Sequence, residues 1–251
     1  MHIGIVTYQT GHKKTLDVIR RFLPKGYEIT VLAFPFQKRP HVVTSYEDRP
    51  YQILDMDMEA FCETYNINYI RVSGWDEASI QTMQVLAVPD VFVTCIAKII
   101  PQHLLRLGPF VNAHPGLLPH NRGVDAFKWA LFHKWPLGVT LHVIDREIDR
   151  GTILKRARVP IYNNDTLKDV CMRSYELECD LIGDIERYLP FYQKGWGVTD
   201  DYPLSRKSVS AEFDSDIENY FVENREIFMN LSVDLTAQAH ESDGVIDETT
   251  R

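Results

Sequence analysis

The chain has 251 residues, 45% of them hydrophobic and 25% charged, which is ordinary for a globular protein able to bury a substantial core. Its 27 Lys and Arg against 35 Asp and Glu give a formal net charge of -8 at pH 7. That balance argues against a general nucleic-acid binder, but leaves room for a small phosphorylated ligand held by a few local donors. From Met1 the chain runs straight into Ile3-Gly4-Ile5-Val6, with no basic leader, cleavage site or apolar run of membrane-spanning length. A cytoplasmic protein without membrane insertion is therefore expected.

Residues 2–7 predict a strand and 8–11 a turn, and Leu16, Val18, Ile19 and Phe22 mark the apolar face of a first helix. A second strand is predicted over 27–34, then an exposed loop over 35–51 that carries three prolines. Strands follow over 67–72 and 91–96, with a helix over 76–87 between them, bounded by Pro89 and Asp90. Next come a short strand over 110–114 and a helix over 124–133 through Val124, Phe127, Leu131 and Phe132. Strands over 138–144 and 152–159 are joined by a short acidic turn, which predicts antiparallel pairing at one side of the sheet.

The longest helical period spans 166–189, with Leu167, Val170, Cys171, Leu177, Leu181, Ile182, Ile185 and Leu189 in one stripe. Thr166 and Asp169 suit a capping box, and Pro190 is expected to end the helix. Residues 212–231 form a second helical pattern through Phe213, Ile217, Tyr220, Phe221 and Phe228, and the polar, acidic tail after it is expected to be loosely held. Alternating short apolar runs and longer helical periods indicate a parallel sheet with crossover helices. The four cysteines, Cys62, Cys95, Cys171 and Cys179, include no Cys-x-x-Cys pair, so neither a disulfide framework nor a zinc site is expected, and Cys95 reads as a buried, inert thiol.

Chemistry concentrates in Asn112-Ala113-His114-Pro115-Gly116-Leu117-Leu118-Pro119-His120-Asn121-Arg122-Gly123 and in the later Asp149. Alternation along 110–114 puts Asn112 and His114 on one face of a strand. Pro115 restricts His114 to extended geometry, and Gly116 permits close backbone approach. An amide, an imidazole and a carboxylate together can hold a carbonyl oxygen, move a proton and fix the charge on the proton carrier.

Spacing argues against several other chemistries. Asp145, Glu147 and Asp149 fail as a calcium loop, because the glycine falls at 151 instead of 150 and Arg156 stands where a Glu is needed. His114, His120, His133 and His142 show no His-Glu-x-x-His spacing, so no metal is expected, and no Gly-x-Ser-x-Gly elbow occurs. Gly4 and Gly11 do not form a dinucleotide fingerprint. The turn with Gln9, His12, Lys13 and Lys14 reads either as a phosphate-facing loop at a helix N-terminus or as a polar surface turn.

Asn112-Ala113-His114-Pro115-Gly116-Leu117-Leu118-Pro119, followed by Gly138-Val139-Thr140-Leu141-His142 and Ile148-Asp149-Arg150-Gly151, closely resembles the folate-dependent formyltransferase family. The resemblance covers residues 1–160 in architecture and is specific over 93–159. It implies a Rossmann-like α/β fold, an open and mostly parallel twisted sheet with helices on both faces. On this reading residues 1–190 form the catalytic domain and 191–251 a smaller helical and irregular extension, serving in dimerisation or acceptor binding. It implies transfer of a formyl group from N10-formyltetrahydrofolate to an amine, with Asn112, His114 and Asp149 matching the catalytic trio.

By the same match, Ala97, Lys98, Ile99 and Ile100 form an apolar edge for the pterin ring, and the turn with His142, Asp145 and Ile148 forms the other wall. Lys98 stands where some members carry Arg. Gln9, His12 and Arg122 are expected on the acceptor side. The length and the acidic, aromatic C-terminal part resemble the nucleotide-sugar N-formyltransferases, which act on 4-amino-4,6-dideoxyhexoses for surface polysaccharides. The alternative acceptors are glycinamide ribonucleotide or an amino acid or peptidyl amine. A homodimer is a further expectation, with Phe213, Tyr220, Phe221 and Phe228 either lining it or packing on their own domain.

Overall fold

Alternation along the first strand sets the layers. In β1 (His2–Tyr8), Ile3 and Ile5 enter the core on one side of the sheet and Val6 the core on the other. The computed structural model, which describes residues 1–36, 53–74, 88–194 and 203–233, puts β1 third in a seven-stranded sheet. A small separate ladder joins β2 (Gly11–His12) to β4 (Ile53–Leu54). β3 (Glu28–Phe34) lies parallel to β1, and β5 (Asn68–Arg71) parallel to β3 beyond it. On the other side β6 (Val91–Thr94) and β7 (Phe110–His114) continue in parallel. β8 (Gly138–Val143) and β9 (Ile153–Arg158) close the order antiparallel, as the short turn between them predicts. The strand order reverses between β1 and β6, and the crevice at such a reversal lies outside the strands' carboxyl ends.

One face of the sheet is covered by α1 (Lys13–Phe22), whose Leu16, Ile19 and Phe22 meet Val31, Val93 and Val111. Phe92 and Phe110 stack at 4.4 Å on the opposite face, over Leu104 and Ile100. The helix α2 (Met58–Thr64), which no long apolar period announced, starts on Asp57, whose carboxylate accepts the Glu59 and Ala60 N–H groups. Next in the chain come α3 (Ala126–Phe132) and α4 (Leu167–Gly183), the latter packing Tyr175, Cys179 and Ile182 beside α1. The capping box at Thr166 and Asp169 is present, with Thr166 Oγ1 accepting the Asp169 N–H and Asp169 Oδ2 accepting the Thr166 N–H.

Two helix expectations need correction. The period over 166–189 is not one helix: it breaks at Asp184, and only a short α5 (Ile185–Tyr188) follows. Gly183 is a poor helix former, and Lys25 Nζ donates to its carbonyl at 2.6 Å, capturing the group that would have continued the ladder. α-Helical structure does stop directly before Pro190, with Leu189 as the C-cap of α5, and a 3₁₀ segment, Leu189–Lys194, carries the chain on, where a missing N–H costs nothing. The helix expected over 124–133 is α3, shorter at both ends, with Val124 and Phe132 exposed instead of buried. Its inward face is Ala126, Phe127, Ala130 and Leu131, together with Lys128, whose Nζ pairs with Asp214 at 2.8 Å.

That pair ties α3 to α6 (Ala211–Val233), whose Ile217, Phe221 and Phe228 complete a third apolar cluster with Phe127, Leu131, Val159, Leu167 and Val170. The aromatic stripe of the C-terminal helix is thus spent within the chain. The predicted helix over 76–87, most of the loop over 35–51 and the acidic tail lie outside the described residues. All four cysteines are buried, and burial pushes the Cys95 thiol up to about 12. Among the described residues no helix is long and apolar enough to cross a membrane.

Candidate active site

Antiparallel pairing of β7 with β8 puts Asn112 opposite His142 and His114 opposite Thr140. Directly opposed residues share a sheet face, so four polar side chains gather on one face at the carboxyl end of β7. Each is fixed differently. The Thr94 hydroxyl of the neighbouring β6 lies 3.1 Å from the Val111 carbonyl and 3.3 Å from Asn112 Oδ1, so its one hydrogen is shared between two acceptors. With Oδ1 turned to Thr94, Nδ2 is the donating end of the amide.

His114 is buried, with Nε2 2.7 Å from the Asn121 carbonyl. A carbonyl only accepts, so Nε2 carries a hydrogen and donates it there. Nδ1, on the other side of the ring, lies 3.5 Å from Asp149 Oδ2. Asp149 itself sits in the turn after β8, with φ 48 in the left-handed region, which Asp tolerates better than most residues. Its Oδ2 also accepts the Gly123 N–H at 3.0 Å. The amide, imidazole and carboxylate singled out in the sequence are thus brought together from β7 and the β8–β9 turn.

Behind them stands His142, expected as part of a ligand-facing wall. The structure corrects this: its side chain is 1% exposed, with Nε2 3.7 Å from Asp149 Oδ1. Burial pushes its pKa down against the pull of the Asp149 carboxylate, with His114 acting in the same direction as burial. Burial therefore favours the neutral ring beside Asp149.

Thr140 contributes what the sequence did not announce. Its hydroxyl donates to the Gly116 carbonyl at 2.7 Å and accepts the Leu118 N–H at 3.0 Å, fully buried. It fastens the turn that follows His114. Thr140→Val keeps the volume but strands both backbone groups, and is expected to cost about 1–3 kcal/mol. Chemical denaturation is the check, and a loss below about 0.5 kcal/mol, the range of neutral surface changes, would remove Thr140 from this role.

A family model described as formyl transferase matches residues 41–184. The chain belongs to the formyl transferase family. Among curated members, the methionyl-tRNA formyltransferase of Syntrophus aciditrophicus is 27% identical over 159 residues, 60% of this chain and 51% of that protein. The phosphoribosylglycinamide formyltransferase of Haemophilus influenzae is 33% identical over 106 residues, 41% of this chain and 50% of that one. The chain therefore spans about half the length of these two family members. A sugar N-formyltransferase structure from Shewanella sp. superposes with TM-score 0.56 at 23% identity, covering 86% of this chain and 79% of that one. The Helicobacter canadensis N-formyltransferase, solved with folinic acid and dTDP-3-aminofucose, gives TM-score 0.56 at 18% identity over 83% and 72%. These likenesses establish the formyl transferase fold, an open and mostly parallel sheet with helices, here carrying a C-terminal helix.

The other expected site residues fall into two groups. Ile99 (72% exposed) and Ile148 (47% exposed) are apolar surface on the segments after β6 and β8, and Ala97 is exposed, with its N–H donating to Tyr8 Oη at 3.1 Å. Lys98 is half-buried and Ile100 is buried in the core, so Ile100 supports this edge from behind. Asp145 caps its own turn, accepting the Glu147 N–H at 2.7 Å.

The acceptor-side expectations are revised. Gln9 Nε2 donates to the carbonyls of Ala33 and Val72, both at 3.3 Å. His12 Nδ1 bonds Thr15 Oγ1, and burial, with Lys14 acting the same way, pushes the ring's pKa down to about 4. Lys13 pairs with Asp17 and Lys14 with Glu178. The turn is therefore not a cationic phosphate cradle. Arg122 is buried, and its guanidinium hydrogen-bonds the carbonyls of Ile148 and Pro203, so it faces the protein and not an acceptor. Among the described residues no group of three or more His, Cys, Asp or Glu could hold a metal ion.

Proposed function

We propose that this protein is an N-formyltransferase using N10-formyltetrahydrofolate, and that its acceptor is the amine of a nucleotide-linked amino sugar of the 4-amino-4,6-dideoxyhexose type. The observation that carries the chemistry is the placement of His114 Nδ1 3.5 Å from Asp149 Oδ2, on the sheet face shared with Asn112. The donor suits the exposed apolar segments at Ile99 and Ile148, which offer the kind of surface a flat pterin needs. When bound, it supplies a formyl carbon on a nitrogen leaving group.

The acceptor nitrogen bonds to that carbon, the bond to the donor nitrogen breaks, and one proton passes from the amine to the departing nitrogen. Asn112 donates from Nδ2 to the oxygen that becomes negative. His114, anchored through Nε2 to Asn121, has Nδ1 as its working nitrogen, and Asp149 balances the charge of the ring while it holds or passes the proton. Asn112→Ala is expected to lower kcat about 10²–10³-fold, as loss of one oxyanion donor does. Steady-state kinetics check this, and near wild-type turnover would take Asn112 out of the mechanism.

Support for a small acceptor is electrostatic. A chain of net charge -8, with Glu212 and Asp214 in the first turn of its C-terminal helix, offers little to a tRNA polyanion. The second reading, glycinamide ribonucleotide, is favoured by the 33% identity to a phosphoribosylglycinamide formyltransferase. A screen of nucleoside-diphosphate amino sugars and glycinamide ribonucleotide with N10-formyltetrahydrofolate separates them. Formylation of an amino sugar supports the first reading, and turnover of glycinamide ribonucleotide alone overturns it.

A further inference from the structure

We propose that Arg122 is a positioning residue for Asp149, and that residues 203–209 of the C-terminal segment act as a strap holding it in place. The inference rests on the assignment of Asp149 made above, and goes beyond it by giving the C-terminal segment a part in the site's geometry. The core observation is a fork of hydrogen bonds onto one carbonyl. Arg122 Nε and Nη2 donate to Ile148 O at 3.0 and 2.6 Å, while Nη1 donates to Pro203 O at 2.7 Å. Ile148 O belongs to the peptide unit that enters Asp149, whose backbone is in the left-handed region. Asp tolerates that region without preferring it, so the surroundings decide whether the turn stays there.

The next residue repeats the pattern through the main chain. Gly123 N–H donates to Asp149 Oδ2, and Gly123 forms a parallel bridge with Arg206. In that bridge the Arg206 N–H donates to Arg122 O at 2.9 Å, and the Val124 N–H donates to Arg206 O at 3.0 Å. Gly123 has φ +100, and a Cβ there would sit 2.3 Å from Arg206 O, so only glycine admits the strap this closely.

The strap is fixed at three further points. Arg206 Nη1 donates to His120 O at 2.8 Å, Trp129 Nε1 donates to Lys207 O at 2.7 Å, and Val209 N–H donates to Asp125 Oδ2 at 3.2 Å. The Arg206 guanidinium also lies over the Trp135 ring at 4.7 Å. Residues 120–125 are therefore held by the strap on one side. On the other they hold His114, through Asn121 O, and Asp149, through Gly123 N–H and Arg122. A displacement of the carboxylate by about 1 Å is enough to cost roughly 100-fold in rate, and this framework is what prevents it.

The test compares the full chain with Arg122→Met, which removes the donors, with Arg122→Lys, which keeps the charge, and with Arg206→Pro, which removes the strap N–H bonded to Arg122 O. Two readouts are taken: amide hydrogen exchange at Gly123 and across 145–151, and kcat and KM with N10-formyltetrahydrofolate and the acceptor found by the screen. Arg122→Met and Arg206→Pro should exchange faster at those amides and lose about 100-fold in kcat, with both KM values within about threefold. Arg122→Lys should fall between these and the wild type, and it carries the test if Arg122→Met does not fold. A purely structural arginine would lower the melting temperature without this split between kcat and KM.

Unchanged exchange at Gly123, or faster exchange with kcat within about threefold of wild type, overturns the proposal. If the wild type formylates no acceptor, the assigned function fails. The exchange comparison then decides by itself whether Arg122 and the strap hold the Asp149 turn.

Discussion

Replacing Asp149 by Asn is expected to lower kcat about 10²–10⁴-fold, the usual range for loss of a positioned acid or base group, while the fold survives. Asn is the informative substitute here for two reasons. It tolerates the left-handed backbone that position 149 adopts, at φ 48, and its side-chain oxygen can still accept the Gly123 N–H that Asp149 Oδ2 now accepts. What disappears is the negative charge 3.5 Å from His114 Nδ1. His114→Ala should cause a loss of similar size, again about 10²–10⁴-fold, because it removes the ring bridging Asn121 O and the carboxylate. This second variant also leaves a buried carbonyl without its donor, so it should be less stable by about 1–3 kcal/mol. Initial rates per folded molecule, with circular dichroism as the control, check both. Turnover within a few-fold of wild type in either variant is incompatible with the mechanism.

The largest effect on folding is expected at Gly151. A Cβ there would lie 1.7 Å from Val143 O, 2.8 Å from Val143 C and 3.0 Å from the Asp145 N. All three atoms are backbone, so no side-chain rotation relieves the clash, and the turn must part from the end of β8. That parting would also break the Val143 N–H bond to Thr152 O, 2.8 Å long, which closes the turn carrying Asp149. Gly151→Ala is expected to cost about 3 kcal/mol or more, in the range reserved for overpacking and strain at special backbone positions. Urea unfolding reads it directly. A midpoint unchanged within error would mean that the turn adopts another conformation.

The elements legible in the sequence were those written in side-chain periodicity. Short apolar runs marked β1, β3, β5, β6, β7, β8 and β9, and the short turn before β9 marked its antiparallel pairing with β8. The pairing of Asn112 with His114 on one face was equally visible, because two residues apart on a strand means the same side. The break at Asp184 was not, since the apolar stripe runs on through Ile185 and Leu189 while Lys25, from a distant segment, takes the Gly183 carbonyl. α2 escaped notice because it is seven residues long and buries only Met58 and Cys62.

Around the site, the missing information is mostly main-chain. Arg122 looked like a ligand-facing cation, and its partners are carbonyls, which leave no trace in residue identity. His142 looked like a wall residue for the same reason: its strand position was readable, but the depth of burial behind Asp149 was not. Thr140 lies within the Gly138-Val139-Thr140-Leu141-His142 run and opposite His114 in register, so a pairing argument could have found it.

The proposed transfer of a formyl group to an amine through Asn112, His114 and Asp149 stands or falls on its product. Its most direct test is transfer of a carbon-13-labelled formyl group from N10-formyltetrahydrofolate to the amino-sugar nucleotide, followed by NMR for the wild type and Asp149→Asn. Labelled formamide is expected on the sugar, formed in step with tetrahydrofolate by the wild type and nearly absent in the variant. No labelled formamide from the wild type on either the amino-sugar nucleotide or glycinamide ribonucleotide, or equal amounts from both proteins, would contradict it.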